Sequence, residues 1–211
     1  MLSDEALRVA VGYRLGANIC LPHACSCGKM VDALGHHALS CARSAGRQSR
    51  HHSVNDLTLR ALGKAQITAT KEPVGLLRSD GKRPDGVTQV PWQRGRCAIW
   101  DVTVPDTTAA SHLPNTVRCA GAAADLAAAN KKLKYAALAL SYLFVPVAIE
   151  TLGPINSEGA EFLSDLGSRI ASVSGDPRET TFLFQRISIA IQRGNALSFQ
   201  GCFPNLIEPH V

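Results

Sequence analysis

Ala98-Ile99-Trp100-Asp101-Val102-Thr103-Val104, read with Lys82-Arg83-Pro84-Asp85-Gly86-Val87 a short way upstream, decides the architecture. Both stretches belong to short segments separated by Gly and Pro, which predicts strands over residues 83–90 and 97–104. In the second, alternation puts Ile99, Asp101 and Thr103 on one face and Ala98, Trp100, Val102 and Val104 on the other, so a carboxylate stands inside an otherwise apolar strand. Burying a carboxylate is costly unless something compensates it. A divalent cation serves two acids on neighbouring strands, because a hard cation takes carboxylate oxygens and keeps waters for substrate phosphates. The alternative is an arginine partner, or an Asp capping a turn at each strand end.

Working outward, a third strand over 67–72 completes an antiparallel meander. Before it, residues 43–60 carry Arg43, Arg47, Arg50 and Arg60 against the single acid Asp56, with His51 and His52 between them. Val54, Leu57, Leu59, Ala61 and Leu62 fit one amphipathic basic helix bounded by Gly46 and Gly63. After the meander, residues 117–143 are rich in Ala and Leu without an interior proline and predict one long helix. Pro146 breaks it, residues 144–149 read as a buried strand, and helices over 157–172 and 179–195 follow, the last closed by Gly194. The order is α-β-β-β-α-β-α-α, an α/β (α+β) fold. Residues 1–19 form a lead segment, 20–45 a small Cys/His module, 46–200 the main domain and 201–211 a tail.

The 211 residues suffice for one core, and 45% apolar with 18% charged residues excludes a disordered chain. The longest apolar run, 135–149, is interrupted by Ser141 and Pro146 and falls short of the roughly 20 residues of a membrane span. The start lacks the basic-then-apolar pattern of an export signal. An intracellular protein with no membrane partner is expected. Seven cysteines, an odd number, read as thiols or metal ligands rather than a disulfide framework. The net charge of +5 is uneven: residues 1–100 hold 14 Lys/Arg against 7 Asp/Glu, residues 101–211 hold 8 against 10. The basic half suits a polyanion such as nucleic acid.

In the long helix, Asn130-Lys131-Lys132-Leu133-Lys134-Tyr135 interrupts the alanines, and Lys131 and Tyr135 share a face. A lysine aimed at a scissile phosphate stabilises developing charge; a solvated lysine cluster is the alternative. Arg83-Pro84-Asp85, then Asp101-Val102-Thr103, then Lys131 with Tyr135 resembles the PD-(D/E)xK, restriction-endonuclease-like domain at the C-terminus of non-LTR retrotransposon reverse transcriptase polyproteins. In that family the lysine usual two residues after the second acid is displaced onto the following helix. Thr103 holds the strand position here, and Lys131 with Tyr135 matches the displaced Lys-x-x-x-Tyr. The resemblance extends to the Cys/His knuckle, Gly46-Arg47, Arg50-His51 with Asn55, Glu72-Pro73 and Asp80-Gly81-Lys82-Arg83.

The resemblance implies metal-dependent hydrolysis of a DNA phosphodiester, nicking target DNA to prime reverse transcription. Asp85 and Asp101 would hold Mg²⁺ (or Mn²⁺), with Lys131 and Tyr135 beside them and Glu72 as a further acid or a structural strand-end glutamate. Target duplex DNA is the expected partner, with element RNA and a reverse transcriptase domain as further ones, in the nucleus. No reverse transcriptase sequence accompanies the motifs, so the chain reads as a separated nuclease module, an element remnant or a fragment. A catalytically inactive nucleic-acid-binding remnant is the alternative function.

Cys25-x-Cys27, His37 and Cys41 supply three thiolates and an imidazole, a set that suits tetrahedral, structural Zn²⁺. Cys-x-Cys is tighter than the usual spacing, so Cys20 or His23 is an alternate for one of that pair, and a reduced cluster without metal is the other reading. His37 is preferred to His36 on the resemblance to the family knuckle. Arg43, Arg47, Arg50, His51, Lys82 and Arg83 are the expected DNA contacts, the arginines on phosphates, which position a duplex without reading its sequence.

Overall fold

The computed structural model describes residues 1–76 and 81–203; Asp80 of the Asp80-Gly81-Lys82-Arg83 stretch, and 204–211 of the tail, lie outside the described residues. The chain opens with helix α1, Asp4–Leu15, where sequence reading had placed no element. Its punctuation was nonetheless present: Ser3 Oγ accepts from Ala6 N–H, Asp4 and Glu5 fill the first turn, and Gly16, at φ 61°, ends the helix in the left-handed region. A two-stranded hairpin, β1 (His23–Ala24) and β2 (Met30–Val31), precedes the short helix α2 (His37–Ser40) and the basic helix α3 (Ala45–Lys64).

Strands β3 (Ala69–Lys71), β4 (Gly86–Thr88) and β5 (Ala98–Thr103) follow as an antiparallel meander, each shorter than expected. Then come α4 (Leu113–Thr116), α5 (Ala122–Lys134), strand β6 (Leu143–Ala148), and helices α6 (Ser157–Ser174) and α7 (Glu179–Gln200). Strand β6 lies parallel to β5 at the sheet's edge, giving the order β3-β4-β5-β6 in a mixed sheet. Pro146 sits inside β6, where an edge strand tolerates the missing N–H. The neighbouring Ala148 N–H is taken by Asn156 Oδ1 at 2.8 Å.

Two expectations are corrected by packing. The single helix over 117–143 is broken, because buried Glu150 places Oε1 on the N–H groups of Ala123 (2.9 Å) and Ala124 (3.3 Å) and so fixes where α5 begins, after Gly121 at φ 93°. At the other end Tyr135 is the C-cap rather than a helical residue. Helix α7 runs through Gly194 instead of stopping there: a Cβ at Gly194 would overlap Arg50 Cγ, and one at Gly46 would overlap Ser198 and the Gly194 carbonyl. Both glycines serve the close crossing of α3 and α7.

The main core lies between the sheet and α3, α6 and α7, built from Val54, Leu62, Trp100, Val102, Val147, Leu163, Leu166, Ile187 and Ile191. Ala124 and Ala128 of α5 pack on Ala148 from the opposite side, so helices cover both faces. Trp100 is wholly buried and donates Nε1–H to Asn55 Oδ1 at 2.8 Å, as a core anchor should. Trp92 packs against Phe162, its ring beneath the Arg169 guanidinium. A second core joins Val9 and Tyr13 of α1, Cys25, Val31, Leu39 and Cys41 of the Cys/His segment, and Ala196, Phe199 and Cys202. The segment over 20–45 is therefore packed on α1 and on the end of α7. Among the described residues no helix is long and apolar enough to cross a membrane.

Arg50, expected on a DNA phosphate, is 1% exposed. Its guanidinium donates to Ser198 Oγ (2.7 Å), Asn195 Oδ1 (3.2 Å) and the carbonyls of Leu39 (2.7 Å) and Gly194 (3.4 Å), and burial brings its pKa down to about 10. It ties α2, α3 and α7 together and cannot reach a ligand. Arg50→Ala strands those acceptors and opens a cavity, so it should destabilise the fold by about 3–5 kcal/mol, read by denaturant unfolding. A loss of DNA affinity with unchanged stability would contradict this.

Candidate active site and metal centre

The pairing of Gly86 with Trp100 and Val87 with Ile99 carries forward to set Asp85 opposite Asp101 on one face, and Asp85 N–H donates to the Trp100 carbonyl at 2.9 Å. Gly86 follows Asp85 because the Trp100 ring occupies the space a Cβ would need. Asp85 Oδ2 accepts from Val102 N–H at 2.6 Å and from His51 Nε2 at 3.0 Å. Asp101 is buried, and its Oδ1 receives Lys131 Nζ at 2.5 Å. Burial first, then the charge of Asp85, raises the Asp101 pKa above the usual carboxylate range, with Lys131 opposing both. The hydrogen bond to Asp85 raises the pKa of His51.

Tyr135, capping α5, donates its hydroxyl to the Arg83 carbonyl at 2.8 Å and packs its ring on Phe144, pinning the chain just before Asp85. Asn55 supports the same segment from α3, donating to the Asp85 carbonyl at 3.4 Å. Glu72 lies across from Asp85 through its backbone N–H (2.9 Å), but its φ is 47° and its carboxylate pairs with Arg83 Nη2 at 2.5 Å. The pair is exposed and lies beside Asp85. Lys82 is exposed.

The partners of the two acids, His51, Val102 and Lys131, line a groove of about 660 Å³ together with Arg43, Arg47, Gln48 and Thr103 among others, none of them acidic. Arg47 is exposed there, whereas Arg43 also donates to the Ser26 carbonyl at 2.6 Å. The structure thus brings Asp85, Asp101, Lys131, Tyr135 and His51 together and excludes Arg50. Sequence reading placed His51 among the DNA contacts and missed its bond to Asp85. The signal available was its position four residues after Arg47, on the same helical face. Two carboxylates facing each other across strands, one held above its usual pKa partly by the charge of the other, form a donor set that suits a divalent cation.

The second site is the Cys/His cluster. The donor atoms of Cys25, Cys27, His37 and Cys41 all lie within 4.8 Å of one another, close enough to hold one metal ion. Cys25 and Cys41 sulfurs are 3.8 Å apart, and Cys27 Sγ is 3.2 Å from His37 Nε2. Zinc–sulfur bonds of about 2.3 Å in a tetrahedron separate two sulfurs by about 3.8 Å, so the set fits. The Lys29 backbone N–H brings the Cys27 thiol down to about 6, while burial raises Cys41. The alternates stand elsewhere: Cys20 Sγ donates to the Asp32 carbonyl at 3.2 Å, and His23 Nε2 faces Cys202 Sγ at 3.4 Å. The β1–β2 turn, with Gly28 at φ 89°, carries Cys25 and Cys27, and α2 carries His37 toward them. No family model and no curated protein matches the chain.

Proposed function

We propose that the chain is a Mg²⁺-dependent endodeoxyribonuclease of PD-(D/E)xK type, the nuclease module of a non-LTR retrotransposon. The observation that carries this reading is Asp85 opposite Asp101 on neighbouring strands, with His51 on Asp85 and Lys131 on Asp101, both of these partners lining a groove that holds basic but no acidic side chains. Asp85 and Asp101 would hold the cation. When bound, it supplies Lewis-acid polarisation of the scissile phosphate and a more acidic water. His51 and the Val102 N–H orient Asp85 through Oδ2. Lys131, fixed by Asp101, offsets the charge that develops on the phosphate oxygens. Arg47 and Arg43 dock the backbone of the duplex, and Tyr135 holds the Arg83 carbonyl so that Asp85 keeps its place. Hydrolysis adds water to phosphorus and breaks one phosphorus–oxygen ester bond, leaving a phosphate end and a free hydroxyl.

Zinc is the ion assigned to Cys25, Cys27, His37 and Cys41, with a structural role because all four positions are protein ligands. The test of the nuclease reading is conversion of supercoiled DNA to open circles by purified protein with Mg²⁺. Lys131→Ala should slow it by about 10²–10³-fold, as loss of one transition-state donor does, while duplex affinity falls only a few-fold. Equal rates for wild type and Lys131→Ala would remove Lys131 from the chemistry.

A further inference from the structure

A second basic groove lies away from the cleft. Helix α3 presents Leu57 and Arg60 toward α7, whose Arg186, Ile189, Ala190 and Arg193 recur at the spacing of one helical face. The two helices enclose a groove of about 360 Å³ with Leu57, Ile189 and Ala190 as apolar lining and three arginines around them. Leu57 follows Gln48, a lining residue of the cleft, by two and a half helical turns, so the two grooves use opposite sides of α3.

The three arginines are uncompensated. Arg60 Nε donates to the Asp56 carbonyl at 3.2 Å and Arg193 Nη2 to the Met1 carbonyl at 2.7 Å, while the Asp56 carboxylate is taken by Lys71 at 2.6 Å. None of the three has a carboxylate partner among the described residues, and no acid lines the groove. Elsewhere Arg8, Arg83, Arg169 and Arg178 are each held by Asp or Glu. Guanidinium forks gathered without counter-charge match phosphate oxygens in geometry and sign. A single strand would need aromatic platforms for its bases, and this lining has none; phosphate-only contact suits a duplex.

We propose that the α3–α7 groove is a second nucleic-acid site, gripping the phosphate backbone of a duplex segment separate from the one in the cleft. The site needs no cleavage and stands whether or not the cleft is a nuclease. The experiment titrates full-length protein with a short DNA duplex at low salt without Mg²⁺, reading stoichiometry by sedimentation, with wild type, Arg60→Glu/Arg186→Glu and the milder Arg60→Gln/Arg186→Gln. Two duplexes per wild-type chain should fall to one in the charge-reversed protein, and the total salt slope of log K should drop by about two. Both side chains are exposed, so thermal unfolding should be unchanged in the Gln pair. A duplex count and salt slope unchanged between wild type and both variants would overturn the proposal. So would a polyglutamate peptide binding wild type more tightly than the duplex and losing that binding in the variants, which would assign the groove to an acidic protein.

Discussion

Cys41→Ser should release the metal and destabilise far more than its own segment. Cys41 is both a donor of the cluster and a member of the core shared with Val9 and Tyr13 of α1 and Phe199 of α7. Once the cluster opens, α1 and the end of α7 lose their apolar partner, and Arg50 loses the Leu39 carbonyl. Loss of several kcal/mol is expected, a large part of the roughly 5–15 kcal/mol of a typical domain. Hydrogen exchange should show protection falling in α1 and in the last turns of α7 together with residues 20–45. Elemental analysis should find one zinc per wild-type chain and none in the variant. Metal affinity should also weaken progressively as pH falls, because protons compete with the cation for the thiolates and the imidazole. Zinc-free wild type with unchanged protection would contradict the assignment.

The sequence made the strands and the acid pair legible because both rest on local signals. Alternation along 97–104 placed Asp101 on the face away from Trp100, and the Gly-bounded basic run marked α3. What escaped was decided by residues distant in the chain. Arg50 looks like its neighbours Arg43 and Arg47, yet Gly194 and Ser198, far along the chain, leave the space that buries it. Glu150 fixes the start of α5 from the far end of β6, so the alanine-rich segment could not reveal its own break. The tight Cys25-x-Cys27 spacing left Cys20 and His23 open as ligands, and only the hairpin geometry turns them away. α1 is the exception, since Ser3, Asp4 and Gly16 were readable signals.

The other large effect is expected at Asp101. The carboxylate is buried beside Asp85 and pushed above its ordinary pKa, so in metal-free protein its ionised form works against the fold. An acid with a raised folded-state pKa contributes stability that is present below its unfolded pKa and lost as pH rises through the folded value. Asp101→Asn, nearly the same in shape, should therefore raise the melting temperature of metal-free protein at neutral pH. Lys131, a quarter exposed at its side chain, can turn to solvent when its partner is neutralised. A residue kept at the expense of stability is the mark of a functional group.

The most direct measurement is Mg²⁺-dependent nicking of supercoiled DNA by wild type and Asp101→Asn, with duplex affinity and melting temperature read on the same preparations. Nicking by wild type should vanish on chelation, and Asp101→Asn should lose about 10³-fold or more while retaining duplex binding and melting at a higher temperature. Wild-type protein that binds duplex but does not nick, or an Asp101→Asn protein that nicks at the wild-type rate, would contradict the nuclease reading.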